Sequence, residues 1–104
     1  MNITGNTVLV TGGATGIGFA LAEAFYNAGN KVIICGRRQD RLAQARQKIP
    51  QLLTFTCDVG TPAGRLDLVS WLQSNCPDLN VLVNNAGIQR DIDFTQGPAA
   101  LEGQ

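Results

Sequence analysis

Thr7-Val8-Leu9-Val10-Thr11-Gly12-Gly13-Ala14-Thr15-Gly16-Ile17-Gly18 runs from a β-branched apolar stretch through spaced glycines into an amphipathic segment. A parallel α/β sheet uses this arrangement to hold a phosphate. Glycines at 12, 16 and 18 let the backbone turn sharply and come close to a ligand, while unpaired N–H groups at the start of the following helix point at an anion. A P-loop needs Gly-Lys-Ser or Gly-Lys-Thr after the glycines. Phe19 and Ala20 follow Gly18 instead, so no lysine reaches a γ-phosphate and nucleoside triphosphate hydrolysis is disfavoured. The spacing is Gly-x-x-x-Gly-x-Gly and not the Gly-x-Gly-x-x-Gly of the common dinucleotide fingerprint. A bland turn between a strand and a helix does not explain three glycines so placed.

Working outward from the loop, Lys31 to Cys35, Leu53 to Cys57 and Val81 to Asn84 repeat the pattern of Thr7 to Thr11: apolar, β-branched runs of strand length. The stretches between them have helical periods. In the first, Ile17, Ala20, Leu21, Ala24, Phe25 and Ala28 recur at three- and four-residue steps, which predicts an apolar stripe against the sheet, with Gly29 as a left-handed stop. The second runs from about Gln39 to Ile49 with Leu42, Ala45 and Ile49 inward, and Pro50 ends it. Thr61-Pro62 supplies an N-cap and a first-turn proline for a third helix with Leu66, Val69 and Leu72 inward and Trp71 off the stripe.

This β-α-β-α-β-α-β order predicts an α/β fold, the N-terminal half of a Rossmann-type doubly wound parallel sheet. Right-handed crossovers put the first two helices on one face and the third on the other, giving strand order 3-2-1-4. The switch point then lies between the first and fourth strands, where the glycine loop and Asn85-Ala86-Gly87 both emerge.

Thr11-Gly12 with Gly16 and Gly18 resembles the N-terminal motif of the short-chain dehydrogenase/reductase family. Leu82-Val83-Asn84-Asn85-Ala86-Gly87-Ile88, about seventy residues later, looks like its Asn-Asn-Ala-Gly segment, and Cys57-Asp58-Val59 looks like its adenine-contacting Asp-Val pair. Asn30 to Arg38 together with Asn84 to Asp93 looks particularly like the oxidoreductases encoded with cell-wall D-alanylation genes. By this resemblance the backbone of Gly12, Thr15, Gly16, Ile17 and Gly18 would hold the pyrophosphate, Asp58 and Val59 the adenine, and Asn85 the ribose region, with Ala86 and Gly87 also cofactor-binding. Asn84 would tie the sheet together. Asp58 also suits a turn before Gly60.

The end of the second strand bears on the cofactor. An enzyme using NAD usually places Asp or Glu about twenty residues after the glycines, to bind the ribose 2′-hydroxyl. Here Gly36-Arg37-Arg38 stands in that place, and a guanidinium offers a planar fork of donors to a 2′-phosphate, which favours NADP(H) over NAD(H) with Arg37 as the reader. Arg38, Arg41, Arg46 and Lys48 read as a solvated helix face.

The chain has 104 residues, 44% hydrophobic and 15% charged, with net charge zero; it is a single domain with no basic field to attract nucleic acid. Its apolar runs are too short to span a bilayer and Met1-Asn2-Ile3-Thr4 lacks a signal-peptide pattern, so a cytoplasmic location is expected. Three isolated cysteines, Cys35, Cys57 and Cys76, without any histidine disfavour a metal site, and Cys35 and Cys57, which end apolar runs, read as buried thiols.

The resemblance also implies what is missing. The family's catalysis uses a tyrosine, a lysine four residues later and a serine. The single tyrosine, Tyr26, lies on the first helix with Asn at position 30, the lysines are Lys31 and Lys48, and Ser70 and Ser74 lie on the third helix. No catalytic residue is therefore assigned. Asp91 to Gln104 reads as a loop or frayed helix start. The expectation is a partial cofactor-binding domain, the first two fifths of a family member, inactive alone. Its full-length parent would act on a carbonyl or alcohol substrate, and the fragment itself would tend to oligomerise through an open sheet edge. A dinucleotide-binding module without chemistry and an unstable remnant are the alternatives.

Overall fold

A computed structural model describes residues 4–85. Its elements follow in the order β1 (Thr7–Thr11), α1 (Gly16–Asn27), β2 (Lys31–Gly36), α2 (Gln39–Lys48), β3 (Leu53–Thr56), α3 (Pro62–Asn75) and β4 (Val81–Val83). All strands are parallel and ordered β3-β2-β1-β4, as expected. Leu9 stands opposite both Ile33 and Leu82, which fixes the register at the centre of the sheet. β1 is buried along its whole length, the reason it reads as a continuous apolar run and not as an alternating one.

The two faces separate by residue parity. Val8, Val10, Val32 and Ile34 pack with Ala22, Leu42, Ala45 and Ile49 of the α1 and α2 layer, whereas Leu9, Ile33 and Cys35 pack with Leu68 and Cys76 under α3. The second helix keeps its expected phase. The other two do not. On α1 the buried positions are Gly18 and Ala22, with Phe19, Phe25 and Tyr26 against the core, while Ile17 is 65% exposed and Ala20, Ala24 and Ala28 face solvent. Small residues point inward because this helix lies close on the sheet. On α3 Gly64 and Leu68 are buried, with Trp71 and Leu72 packed inward, and Leu66 and Val69 are exposed. Trp71 stacks on Phe55 of β3, ring centroids 5.1 Å apart, and that contact turns the helix away from the phase its leucines suggest.

The amino end of the sheet is held by side-chain amides. Asn30 Oδ1 accepts from the Asn6 N–H at 2.9 Å, Asn80 Oδ1 from the Thr7 N–H at 2.8 Å, and Asn80 Nδ2 donates to Asn6 Oδ1 at 2.9 Å. Thr7 Oγ1 donates to Asp78 Oδ2 at 2.7 Å, which holds that carboxyl below its ordinary value. These bonds join the turns before β1, β2 and β4 and leave the opposite, carboxyl end to a ligand. Gly29, with φ of 96°, ends α1 as expected. β3 stops at Thr56 and β4 at Val83, each one residue short of the expected run.

Candidate functional site: a cleft at the carboxyl ends of the strands

The carboxyl ends of β1, β2 and β3 open into a cavity of about 570 Å³. Gly12 and Thr15 of the glycine loop, Arg37 after β2, and Asp58 and Val59 after β3 all line it. The chain thus brings five of the residues singled out in the sequence to one concavity. Gly16, Ile17 and Gly18, in the first turn of α1, and Asn85 are not among its lining residues. Ala86 and Gly87 lie outside the described residues.

The loop's shape has a local cause. Gly12 and Gly16 have φ of 65° and 60°, the left-handed region that side chains disfavour, and the Gly12 N–H bonds the Cys35 carbonyl at 2.9 Å, so the loop leaves the sheet in a fixed direction. Gly18 serves through close approach. A Cβ there would run into the Gly12 carbonyl oxygen and come within 2.5 Å of Asn85 Nδ2. Thr15 is the N-cap of α1 but its side chain makes no capping bond, which leaves the first-turn N–H groups to an anion. α3 contrasts with it, because Thr61 Oγ1 accepts from the Gly64 N–H at 3.0 Å and closes that terminus.

Asn84 and Asn85 emerge from β4 with different surroundings. Thr11 Oγ1 donates to Asn84 Oδ1 at 3.1 Å, a tie between neighbouring strand ends. Asn85 is fully buried behind the loop; its Nδ2 donates to the Gly12 carbonyl at 3.1 Å, and its Oδ1 is buried with no partner among the described residues. It therefore braces the loop from below. Asp58 Oδ1 accepts from the Gly60 N–H at 2.8 Å, so its side chain shapes the turn that walls the cleft opposite α2.

Several lining residues escaped the sequence reading. Arg38 and Arg41 border the cavity with Arg37, although the sequence placed them on a solvated face. The phase of α2 carries the signal that could have found them: with Leu42 and Ala45 inward, Arg38 and Arg41 flank the anchored stripe at the end nearest the sheet's carboxyl edge. Cys35 and Cys57 form part of the floor. Burial, reinforced by the neighbouring Cys57, pushes the Cys35 thiol up to about 12, and burial raises Cys57 as well. Because the folded-state value of Cys35 exceeds its unfolded 9.0, its contribution to stability is complete below that pH and is lost as pH rises toward about 12. Urea midpoints measured from about pH 8 to about pH 11 should fall less steeply in Cys35→Ala than in the wild type. Equal slopes would show that this thiol does not couple to folding.

Comparison with known proteins gives the family of the chain. A model of the short chain dehydrogenase family matches residues 6–100. The chain belongs to that family. This short-chain dehydrogenase chain is 52% identical over 101 residues to the oxidoreductase DltE of Bacillus subtilis, covering 97% of itself and 40% of DltE. It is 39% identical over 82 residues to the NADP-dependent 3-hydroxy acid dehydrogenase YdfG of Salmonella typhi, covering 78% of itself and 33% of that protein. Among solved structures it is similar to the RhlG/NADP active-site complex of Pseudomonas aeruginosa, with TM-score 0.73, 31% identity, and 78% and 34% of the two chains covered. The chain spans about two fifths or less of the length of these relatives.

The family binds nicotinamide dinucleotides. The residues present fit such a group: the uncapped start of α1 offers N–H donors for a pyrophosphate, and the absence of a Cβ at Gly18 lets the loop sit flat on Asn85.

Proposed function

We propose that the chain is the NADP(H)-binding part of an oxidoreductase that transfers hydride between the nicotinamide and a carbonyl or alcohol substrate. One observation carries the reading: Arg37, at the carboxyl end of β2, lines the same cavity as the glycine loop, in the place where an NAD-using site sets a carboxylate. A guanidinium there attracts a 2′-phosphate that a carboxylate would repel. Relatives named as NADP-dependent or solved with NADP point the same way. When bound, the cofactor supplies or accepts the hydride. Gly12 to Gly18 hold its pyrophosphate through backbone N–H groups, Arg37 its 2′-phosphate, Asp58 and Val59 the adenine, and Asn85 fixes the loop that carries these donors.

A second reading rests on Tyr26. It is the only tyrosine of the 104 residues, it lies on α1, and no lysine stands four residues after it, so these residues bind dinucleotide without turning over substrate. Carbonyl chemistry then depends on residues of the longer relatives that this chain does not span. Localisation in the cytoplasm and association into homo-oligomers are further parts of the proposal.

Parallel calorimetric titrations with NADPH and NADH test the cofactor assignment. The expected result is NADPH affinity at least about tenfold higher, the equivalent of roughly 1.4 kcal/mol from one charge-assisted pairing. Equal affinities, or tighter NADH, would refute it.

A further inference from the structure

Three arginines, Arg37, Arg38 and Arg41, line the cleft between the end of β2 and the start of α2, and they are not equivalent. Arg37 follows the last residue of β2, whereas Arg38 is the N-cap of α2 and Arg41 lies in its first turn. The Arg41 and Leu42 N–H groups both bond the Arg38 carbonyl at 3.1 Å, so the turn between the two arginines is fully formed and places their side chains on one side of the helix. Leu42 and Ala45, each 2% exposed, lock the rotation of α2 about its axis and keep that side at the cavity. The remaining cations of this helix go elsewhere. Arg46 is exposed outside the cavity lining, and the Lys48 ammonium sits 5.2 Å over the Phe19 ring.

Charge at this corner is unbalanced. Arg41 Nε approaches Asp40 Oδ2 only at 4.0 Å, with the two side chains 41% and 68% exposed, an ion pair too long and too wet to hold it. It is the only ion pair among the described residues, so Arg37 and Arg38 have no acid partner there. Like charges one turn apart repel each other weakly, and an anion between the strand end and the helix start relieves that repulsion. α2 also lacks a side-chain cap, and its first-turn N–H groups at Gln39 and Asp40 add a positive potential that the Asp40 carboxylate offsets in part.

We propose that Arg41 is a specificity-determining residue that reads a dianionic phosphate on the adenosine ribose, giving from α2 the second guanidinium opposite the one Arg37 gives from β2. This rests on the reading of the cleft as an NADP(H) site. It goes beyond it by dividing the recognition: Arg37 is set by the strand, while Arg41 is set by the packing of a helix and pairs so weakly with Asp40 that it turns to a ligand without losing a strong bond. The pyrophosphate, held by the glycine loop, does not draw on Arg41.

The test compares NADPH and NADH dissociation constants for the wild-type chain, Arg37→Gln, Arg41→Gln and Arg41→Lys, at low and at high salt. Arg41→Gln should weaken NADPH about five- to thirtyfold and leave NADH within about twofold, and it should flatten the rise of the NADPH constant with salt. Arg41→Lys, which keeps the charge but loses the fork, should recover part of the loss. An unchanged NADPH to NADH ratio in Arg41→Gln, beside a collapsed ratio in Arg37→Gln, would return Arg41 to a solvated face and leave the NADP(H) reading intact. A wild-type ratio of one, or no binding of either dinucleotide, would overturn both.

Discussion

Gly18→Ala is expected to weaken NADPH binding by at least about tenfold, because the new methyl has no place to go. Its Cβ would meet the Gly12 carbonyl oxygen and lie 2.5 Å from Asn85 Nδ2, both of them already bonded to each other at 3.1 Å beneath the loop. Neither neighbour is the flexible end of a long side chain. The loop must lift away from the sheet, breaking the Asn85 brace and moving the donors at the start of α1; overpacking of this kind costs about 1–3 kcal/mol of stability as well. Ala24→Ser, on the exposed side of the same helix, is the matched control and should change affinity by less than about twofold. Calorimetry on both variants checks the pair. Wild-type affinity in Gly18→Ala would mean that the loop does not hold the ligand in the form described.

Ile34→Ala should have the largest effect on folding. Ile34 is fully buried in the α1 and α2 layer, and its Cγ2 stands 2.5 Å from where a Cβ on Gly13 would be, so it is the floor on which the loop rests. Truncating such a residue removes about 2–5 kcal/mol. For a domain this small that is a large share of the total, and the thermal midpoint should drop by roughly 8 °C or more. The site should suffer with the core, because a void beneath Gly13 lets the loop sag. A thermal melt followed by circular dichroism decides it, and a fall of less than about 3 °C would show that this position is not central to the packing.

Much of this architecture could be read along the chain, for reasons that differ from element to element. β1 and β2 announced themselves because Val8 to Val10 and Val32 to Cys35, covered on both faces, are continuously apolar, and α2 because Leu42, Ala45 and Ile49 are the main apolar residues of an otherwise polar helix. α1 misled for the opposite reason. It has apolar residues nearly all round, so hydrophobicity could not set its phase, and the deciding factor was the close approach that only Gly18 and Ala22 permit. α3 was phased by Trp71 stacking on Phe55, a contact with β3 that no local spacing contains. Along the cleft, Gly12, Thr15 and Arg37 were legible as lining residues from motif and position. Arg41 was not, because a cation on a helix looks solvated until the rotation of that helix is known.

An open side remains on the described part of the molecule. β4 pairs with β1 on one edge, and no described strand pairs with the other; Leu82, on the α3 face opposite Leu9, is 62% exposed. Parallel sheets are ordinarily covered on both faces. The relatives DltE and YdfG are more than twice as long as the stretch they share with this chain.

The proposed function requires that the glycine loop, the end of β2 and the turn after β3 grip one dinucleotide. An NMR titration of the isotope-labelled chain with NADPH addresses it most directly, since each backbone amide reports its own surroundings. Saturable shifts should concentrate at Gly12, Thr15, Gly16 and Gly18, at Arg37, and at Asp58 and Val59, while Asn6, Asn30 and Asn80 at the far end of the sheet stay in place. Saturable shifts centred on that asparagine end, or none at the glycine loop, would contradict it.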